Sequence, residues 1–191
     1  ISEKNNYDIS QLPENFQKGY YAFVIGGTYK TKILPAVKIV EIIKKINKAV
    51  VLLGGPDDIE RAEEIIYGVN ETTRQQDNEG SKNSQILNLV GKINLEQSAS
   101  IVKNADSVLT NDTGLMHIAA AFHKNIVSVW GNTVPELGMY PYLPKEKENC
   151  HIVECKDVRC RPCSKLGFKE CPKKHFRCMM EIDVEEVVKL M

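Results

Sequence analysis

Short apolar runs alternate along this chain with stretches that repeat apolar residues every three or four positions, and each run stops at turn-forming residues. Residues 20–25 are the first run and end in Gly26-Gly27. Residues 33–46 then carry Ile33, Leu34, Val37, Val40, Ile43 and Ile46 at helical spacing, with Pro35 suited to a first turn. The run at 49–53 stops at Gly54-Gly55-Pro56, and Asp57 or Asp58 is placed to cap a helix over 59–67. Residues 69–84 are almost wholly polar and predict an exposed, mobile insertion. Runs at 86–90, 107–110 and 126–130 predict three more strands, helices are predicted over 95–103 and 114–122, and 184–191 reads as a short terminal helix.

Five apolar runs, each followed by a turn and mostly by a helix, predict an α/β protein: a parallel sheet with helices on both faces. Right-handed crossovers place the strand-to-helix turns along one edge, where such sheets bind ligands. A chain of 191 residues supports one main core. The expected division is an interdomain linker over 1–19, the α/β body over 20–149, and a Cys-rich tail with a terminal helix over 150–191, packed on that body.

Charge narrows the function. Lys plus Arg equals Asp plus Glu at 25 each, so no overall field draws the protein to nucleic acid or a membrane surface, and any phosphate site must be local. No apolar run approaches the roughly 20 residues of a transmembrane helix. Residues 1–20 lack the order of a signal peptide, and the opening Ile1 suggests that an upstream portion has been removed. A cytoplasmic protein is expected, at most peripheral to a membrane.

Two turns carry chemistry. The first, Gly26-Gly27-Thr28-Tyr29-Lys30-Thr31-Lys32, combines glycines that allow close backbone approach with hydroxyl and ammonium donors, which suits a diphosphate. Tyr29 stands where a Walker loop needs glycine, and a plain turn with solvated lysines is the alternative. The fourth, Asn111-Asp112-Thr113-Gly114-Leu115-Met116-His117, brings a carboxylate, a hydroxyl, bare amides and an imidazole to one spot, with Asp112 or Thr113 as helix cap. An ordinary cap with a hydrogen-bonded core histidine is the alternative there.

These residues carry a resemblance. Gly91-Lys92-Ile93-Asn94-Leu95, then Asp112-Thr113-Gly114-x-x-His117, then Val129-Trp130-Gly131-Asn132-Thr133 resemble glycosyltransferase family 9, which includes the lipopolysaccharide heptosyltransferases. The similarity runs over about residues 20–190 and extends to Cys160-Arg161-Pro162-Cys163, Cys171-Pro172 and Cys178-Met179. It implies a Rossmann-like three-layer domain, the C-terminal half of a two-domain GT-B enzyme, with the acceptor-binding half and its catalytic base outside this chain.

Carried over by motif, the resemblance implies that Thr28 and Lys32 hold the donor phosphates and that Gly91 to Ile93 line the adenine pocket. It implies that Asp58 accepts the ribose hydroxyls, Glu60 lying within alignment error of it. Asp112 would bind sugar hydroxyls, while Thr113, Gly114 and His117 face the diphosphate or sugar. Lys32 and Asp112 are the catalytic candidates. Gly26-Gly27 precedes Thr28 where some members carry a second Thr, a departure that implies one hydroxyl donor to phosphate fewer than in those members.

The implied ligands are a nucleoside diphosphate sugar, ADP-heptose foremost, and a lipid-linked glycan acceptor reached through the other half. No metal or cofactor is expected. Cys160-x-x-Cys163 with Cys171 and Cys178 leaves a zinc site, reduced packed thiols and oxidised pairs all open, with His175 as a substitute ligand. The leading reading is the donor-binding domain of an inverting glycosyltransferase, inactive alone. The alternatives are a stand-alone nucleotide-binding regulatory module and a zinc-stabilised interaction domain.

Overall fold

A computed structural model of the chain describes residues 6–75 and 85–191. Its centre is a six-stranded parallel sheet in the order β3-β2-β1-β4-β5-β6. The strands are β1 (Tyr20–Val24), β2 (Ala49–Leu53), β3 (Ile86–Asn88), β4 (Ser107–Asn111), β5 (Asn125–Trp130) and β6 (Cys150–Glu154). Side-chain alternation divides the apolar runs between two cores. Phe23, Val50, Leu52, Leu109, Val127 and Val129 face one core; Tyr20, Ala22, Val24, Val51, Leu53, Val108 and Ile126 face the other. A strand buried on both faces must be apolar at every position, so these strands read as continuous runs rather than alternating ones.

The first core is covered by α2 (Ala36–Lys45), α3 (Ile59–Gln75), α6 (Arg177–Met180) and α7 (Val184–Leu190). The second is covered by α1 (Glu14–Gln17), α4 (Leu95–Asn104) and α5 (Gly114–Ala121). Together they make the expected three-layer α/β architecture. Local sequence explains several boundaries. Asn94 caps α4 by accepting the Gln97 backbone N–H at 2.9 Å, while Gln97 returns a bond to the Asn94 N–H at 3.0 Å. Helix α2 ends in Lys44 and Lys45, cations at the negative end of its dipole.

Other boundaries differ from the sequence reading. Helix α2 starts at Ala36 rather than 33, because a residue before proline avoids the helical region; the Leu34 N–H bonds to Asn111 Oδ1 at 3.0 Å instead. Helix α3 continues to Gln75, so residues 69–75 are helical rather than part of a polar insertion; the remainder of that expected insertion, 76–84, lies outside the described residues. The sheet has six strands, not five. As an edge strand β6 needs few apolar residues, and its sequence Cys-His-Ile-Val-Glu buries only Val153 fully. The polar lead-in also contributes apolar anchors, Leu12 and Phe16, both 2% exposed in the second core. Among the described residues no helix is long and apolar enough to cross a membrane.

Candidate functional site

The strand order reverses direction between β1 and β4, which are hydrogen-bonded neighbours although β2 and β3 intervene in sequence. At such a switch point the loops leaving two adjacent strands diverge and open a crevice at the carboxyl edge. The two chemistry-bearing turns identified in the sequence leave these two strands. Asn111 joins them: its side-chain amide donates to Val24 O at 3.3 Å and Gly26 O at 3.2 Å, while its Oδ1 accepts from Leu34. A buried side chain satisfied by three backbone partners holds the two loops in fixed register.

Lys32 reaches across this junction. Its Nζ donates to Asp112 Oδ2 at 2.5 Å, and the two side chains are 10% and 6% exposed. Thr133, on the loop after β5, donates its Oγ1 to the same carboxylate oxygen at 3.3 Å. Asp112 is therefore engaged away from α5 and does not cap it. Thr133 is the partner that the sequence reading left without a role. Thr113, in the N-cap position, makes no side-chain capping bond either; its hydroxyl pairs with Thr110 Oγ1 at 3.3 Å. This corrects the expected cap. Neither side chain therefore caps the start of α5, whose Thr113 and Gly114 line the crevice at the positive end of the helix dipole.

Two cavities meet here. One, about 150 Å³, is lined by Thr28, Tyr29, Lys32, Asp112 and Leu166 together with Gly27, Thr113 and Gly114. The other, about 390 Å³, shares Gly27, Thr113 and Gly114 and continues over the β2 turn to Asp58, Ile93, Leu95 and Leu115. The first has the Lys32–Asp112 ion pair and the Thr28 side chain in its wall. The second has apolar walls and one carboxylate.

The position of Asp58 depends on glycines. Its Oδ2 accepts the Gly55 N–H at 2.9 Å. It would lie 2.0 Å from a Cβ at Gly26 and 2.9 Å from one at Gly54, so neither turn tolerates a side chain while the carboxylate occupies this place. Gly91, at φ +69°, brings the β3 turn close to Pro56 and Ile59 and so sets Ile93 on the cavity wall.

Of the residues singled out in the sequence, Thr28, Lys32, Asp112, Thr113 and Gly114 line the smaller cavity, and Asp58 and Ile93 line the larger. His117 does not join them: it is exposed on α5 and lines neither cavity. Four residues past Thr113 it shares that residue's side of the helix, but a full turn carries it away from the opening.

The tail contributes more than the sequence suggested. Arg161, with its side chain 6% exposed, pairs with Glu154 at 2.7 Å and donates to the backbone carbonyls of Trp130, Gly131, Thr133 and Cys155, binding the ends of β5 and β6 together. Its place inside Cys160-x-x-Cys163 was the available signal. All six cysteines are free thiols. Cys160 Sγ lies 3.7 Å from His175 Nε2, and burial together with the neighbouring thiols raises both Cys163 and Cys178 above the ordinary thiol range. Among the described residues no set of three or more His, Cys, Asp or Glu side chains is gathered to hold a metal ion. A third cavity, about 330 Å³, is lined by Lys30, Thr31, Glu170, Cys171, Lys174 and Phe176 and shares no wall with the other two.

Residues 2–169 match the sequence profile of glycosyltransferase family 9 (heptosyltransferase). A lipooligosaccharide heptosyltransferase 2 from Haemophilus influenzae is 31% identical over 130 residues, covering 68% of this chain and 34% of the relative. The solved structure of Escherichia coli ADP-heptose lipopolysaccharide heptosyltransferase II superposes over the whole chain with a TM-score of 0.71 at 20% identity, covering 50% of that protein. E. coli heptosyltransferase WaaC, solved with ADP, is 26% identical with a TM-score of 0.55, over 75% of this chain and 39% of that one. The chain thus spans about half the length of the solved relative that it matches throughout.

Proposed function

The chain belongs to glycosyltransferase family 9, and from that membership we propose that it is the donor-binding domain of an inverting glycosyltransferase that moves heptose from ADP-heptose to a lipopolysaccharide core or related glycan. The observation that carries this reading is the pair of joined cavities at the switch point. The larger suits a nucleoside: apolar walls from Ile93, Leu95 and Leu115 for the base, and the Asp58 carboxylate for the ribose hydroxyls. The smaller suits a diphosphate and its sugar: Lys32, the Thr28 hydroxyl and the open amides of α5, with Asp112 beside them. The ADP held by a relative 26% identical supports adenosine as the nucleoside.

In the transfer, the acceptor oxygen attacks the anomeric carbon as the bond from that carbon to the diphosphate breaks, and ADP departs with the electron pair. Negative charge grows on the diphosphate, where Lys32 and the N-terminus of α5 stabilise it. Lys32 is already oriented by Asp112 before the ligand arrives, which limits the reorganisation required. Asp112 takes hydrogen bonds from the sugar. Removal of the acceptor proton needs a carboxylate on the opposite face of the sugar. That base and the glycan site belong to a second domain, for which the greater length of the relatives leaves room.

Titration calorimetry of the chain with ADP, UDP and GDP tests the assignment. ADP binding ahead of the other two, weakened in Lys32→Ala, is expected; equal failure of all three overturns it. The chain alone should bind donor without transferring sugar, and turnover with acceptor in the absence of a second domain would contradict that division of labour.

A further inference from the structure

One side chain in the smaller cavity comes from neither switch-point loop. Leu166 belongs to the Cys-rich tail, and among the described residues it is the one aliphatic member of a wall otherwise made by Thr28, Lys32, Asp112 and their neighbours. It is 56% exposed, a large hydrophobic group held at the mouth of a polar site.

The loop that carries it is anchored at both ends to the site. At one end the Cys163 N–H donates to Asn132 O at 2.9 Å, next to Thr133. At the other, Phe168 and Thr31 exchange bonds: the Phe168 N–H donates to Thr31 Oγ1 at 2.8 Å, and the Thr31 N–H donates to Phe168 O at 3.2 Å. Gly167, at φ +126°, lies so close to Tyr29 that a Cβ would stand 2.6 Å from the tyrosine Cβ. Between the anchors, Ser164 Oγ accepts the backbone N–H groups of Leu166 and Gly167, both at 3.0 Å. These bonds hold the leucine at the cavity mouth, where a ligand in the cavity would remove its exposed apolar surface from water.

We propose that Leu166 is a specificity-determining residue of the donor site, packing on the carbon face of the sugar carried by the diphosphate, and that Thr31 is its positioning residue. The inference rests on the donor-binding reading above and adds that the tail builds part of the sugar subsite. Leu166 supplies contact to sugar carbons that ADP lacks, so it governs the gain in affinity from ADP to ADP-heptose. Thr31 acts through Phe168 and Gly167, and its loss lets the leucine drift.

The test is calorimetric titration of the chain and its Leu166→Ala, Leu166→Met and Thr31→Val variants with ADP and with ADP-heptose, reading the ratio of the two affinities in each. The expected result is a ratio reduced about fivefold in Leu166→Ala, the order for re-exposing roughly half a leucine. Leu166→Met, which keeps an apolar side chain of similar reach, should restore most of it, and Thr31→Val should behave like Leu166→Ala. An unchanged ratio in both Leu166→Ala and Thr31→Val overturns the inference and leaves the donor-binding reading intact. A wild-type chain that binds neither ligand removes that reading itself.

Discussion

Lys32 and Asp112, eighty positions apart in sequence, form an ion pair at 2.5 Å with both side chains at most 10% exposed. The two halves should have opposite effects on nucleotide binding. Lys32→Met removes the cation facing the diphosphate and leaves Asp112 to repel it, so ADP affinity should fall by about tenfold or more. Asp112→Asn frees the ammonium and removes the competing charge, so ADP should bind several-fold tighter while the further gain from ADP to ADP-heptose is reduced by the loss of the carboxylate's bonds to the sugar. Each single variant should also lose about 3 kcal/mol of stability in chemical denaturation, because it strands the other charge. Weaker ADP binding in both variants would contradict this arrangement.

Asp58→Asn keeps an oxygen for the Gly55 N–H but weakens acceptance from ribose. ADP affinity should fall about fivefold to tenfold, whereas 2′,3′-dideoxy-ADP, without those hydroxyls, should bind the variant and the wild type alike. Equal losses for both nucleotides would place the carboxylate's role elsewhere.

Gly26 and Gly114 should separate folding from binding. A Cβ at Gly26 meets Asp58 Oδ2 at 2.0 Å, so Gly26→Ala should lower the unfolding free energy by about 1–3 kcal/mol and displace the carboxylate. A Cβ at Gly114 meets nothing within 4 Å, and alanine is the better helix former, so Gly114→Ala should fold at least as stably as the wild type. Gly114 lines both cavities, so the expected signature of an added methyl group is an undiminished melting temperature with markedly weaker ADP binding.

Cys178 is 3% exposed, and burial, with nearby thiols adding to it, pushes its thiol from 9.0 up to about 11. The unfolded chain can ionise this group from about pH 9 and the folded chain cannot. Its contribution to stability is therefore complete below pH 9 and is lost as pH rises towards 11. Cys178→Ala should be less stable at pH 7 through lost packing, yet its stability should fall less steeply between pH 9 and 11, by up to about 1.4 kcal/mol per pH unit. Parallel denaturation curves for the two proteins across that window would refute this.

The layered α/β architecture and the two reactive turns were legible in the sequence for local reasons. Strands buried on both faces must be apolar throughout, helices with one buried face repeat their apolar residues, and turns that approach a ligand closely need glycine and small polar residues. Thr28, Lys32, Asp112, Thr113 and Gly114 were accessible that way, whereas Asp58 and Ile93 were reached as site residues through the family resemblance. The edge strand β6 was not, because pairing on one side and partial exposure remove the apolar signature.

What three-dimensional packing alone settled is who meets whom. Nothing local tells that β1 and β4 are neighbours, that Thr133 joins Lys32 on the Asp112 carboxylate, or that His117 is carried away from the opening by one helical turn. Nor does any local pattern reveal that the tail folds back, ties Phe168 to Thr31 and sets Leu166 over the same cavity. Periodicity reports which face of an element is dry, since that depends on each segment's own burial. Partnership depends on the order of strands in the sheet and the path of the loops, and the whole chain decides those together.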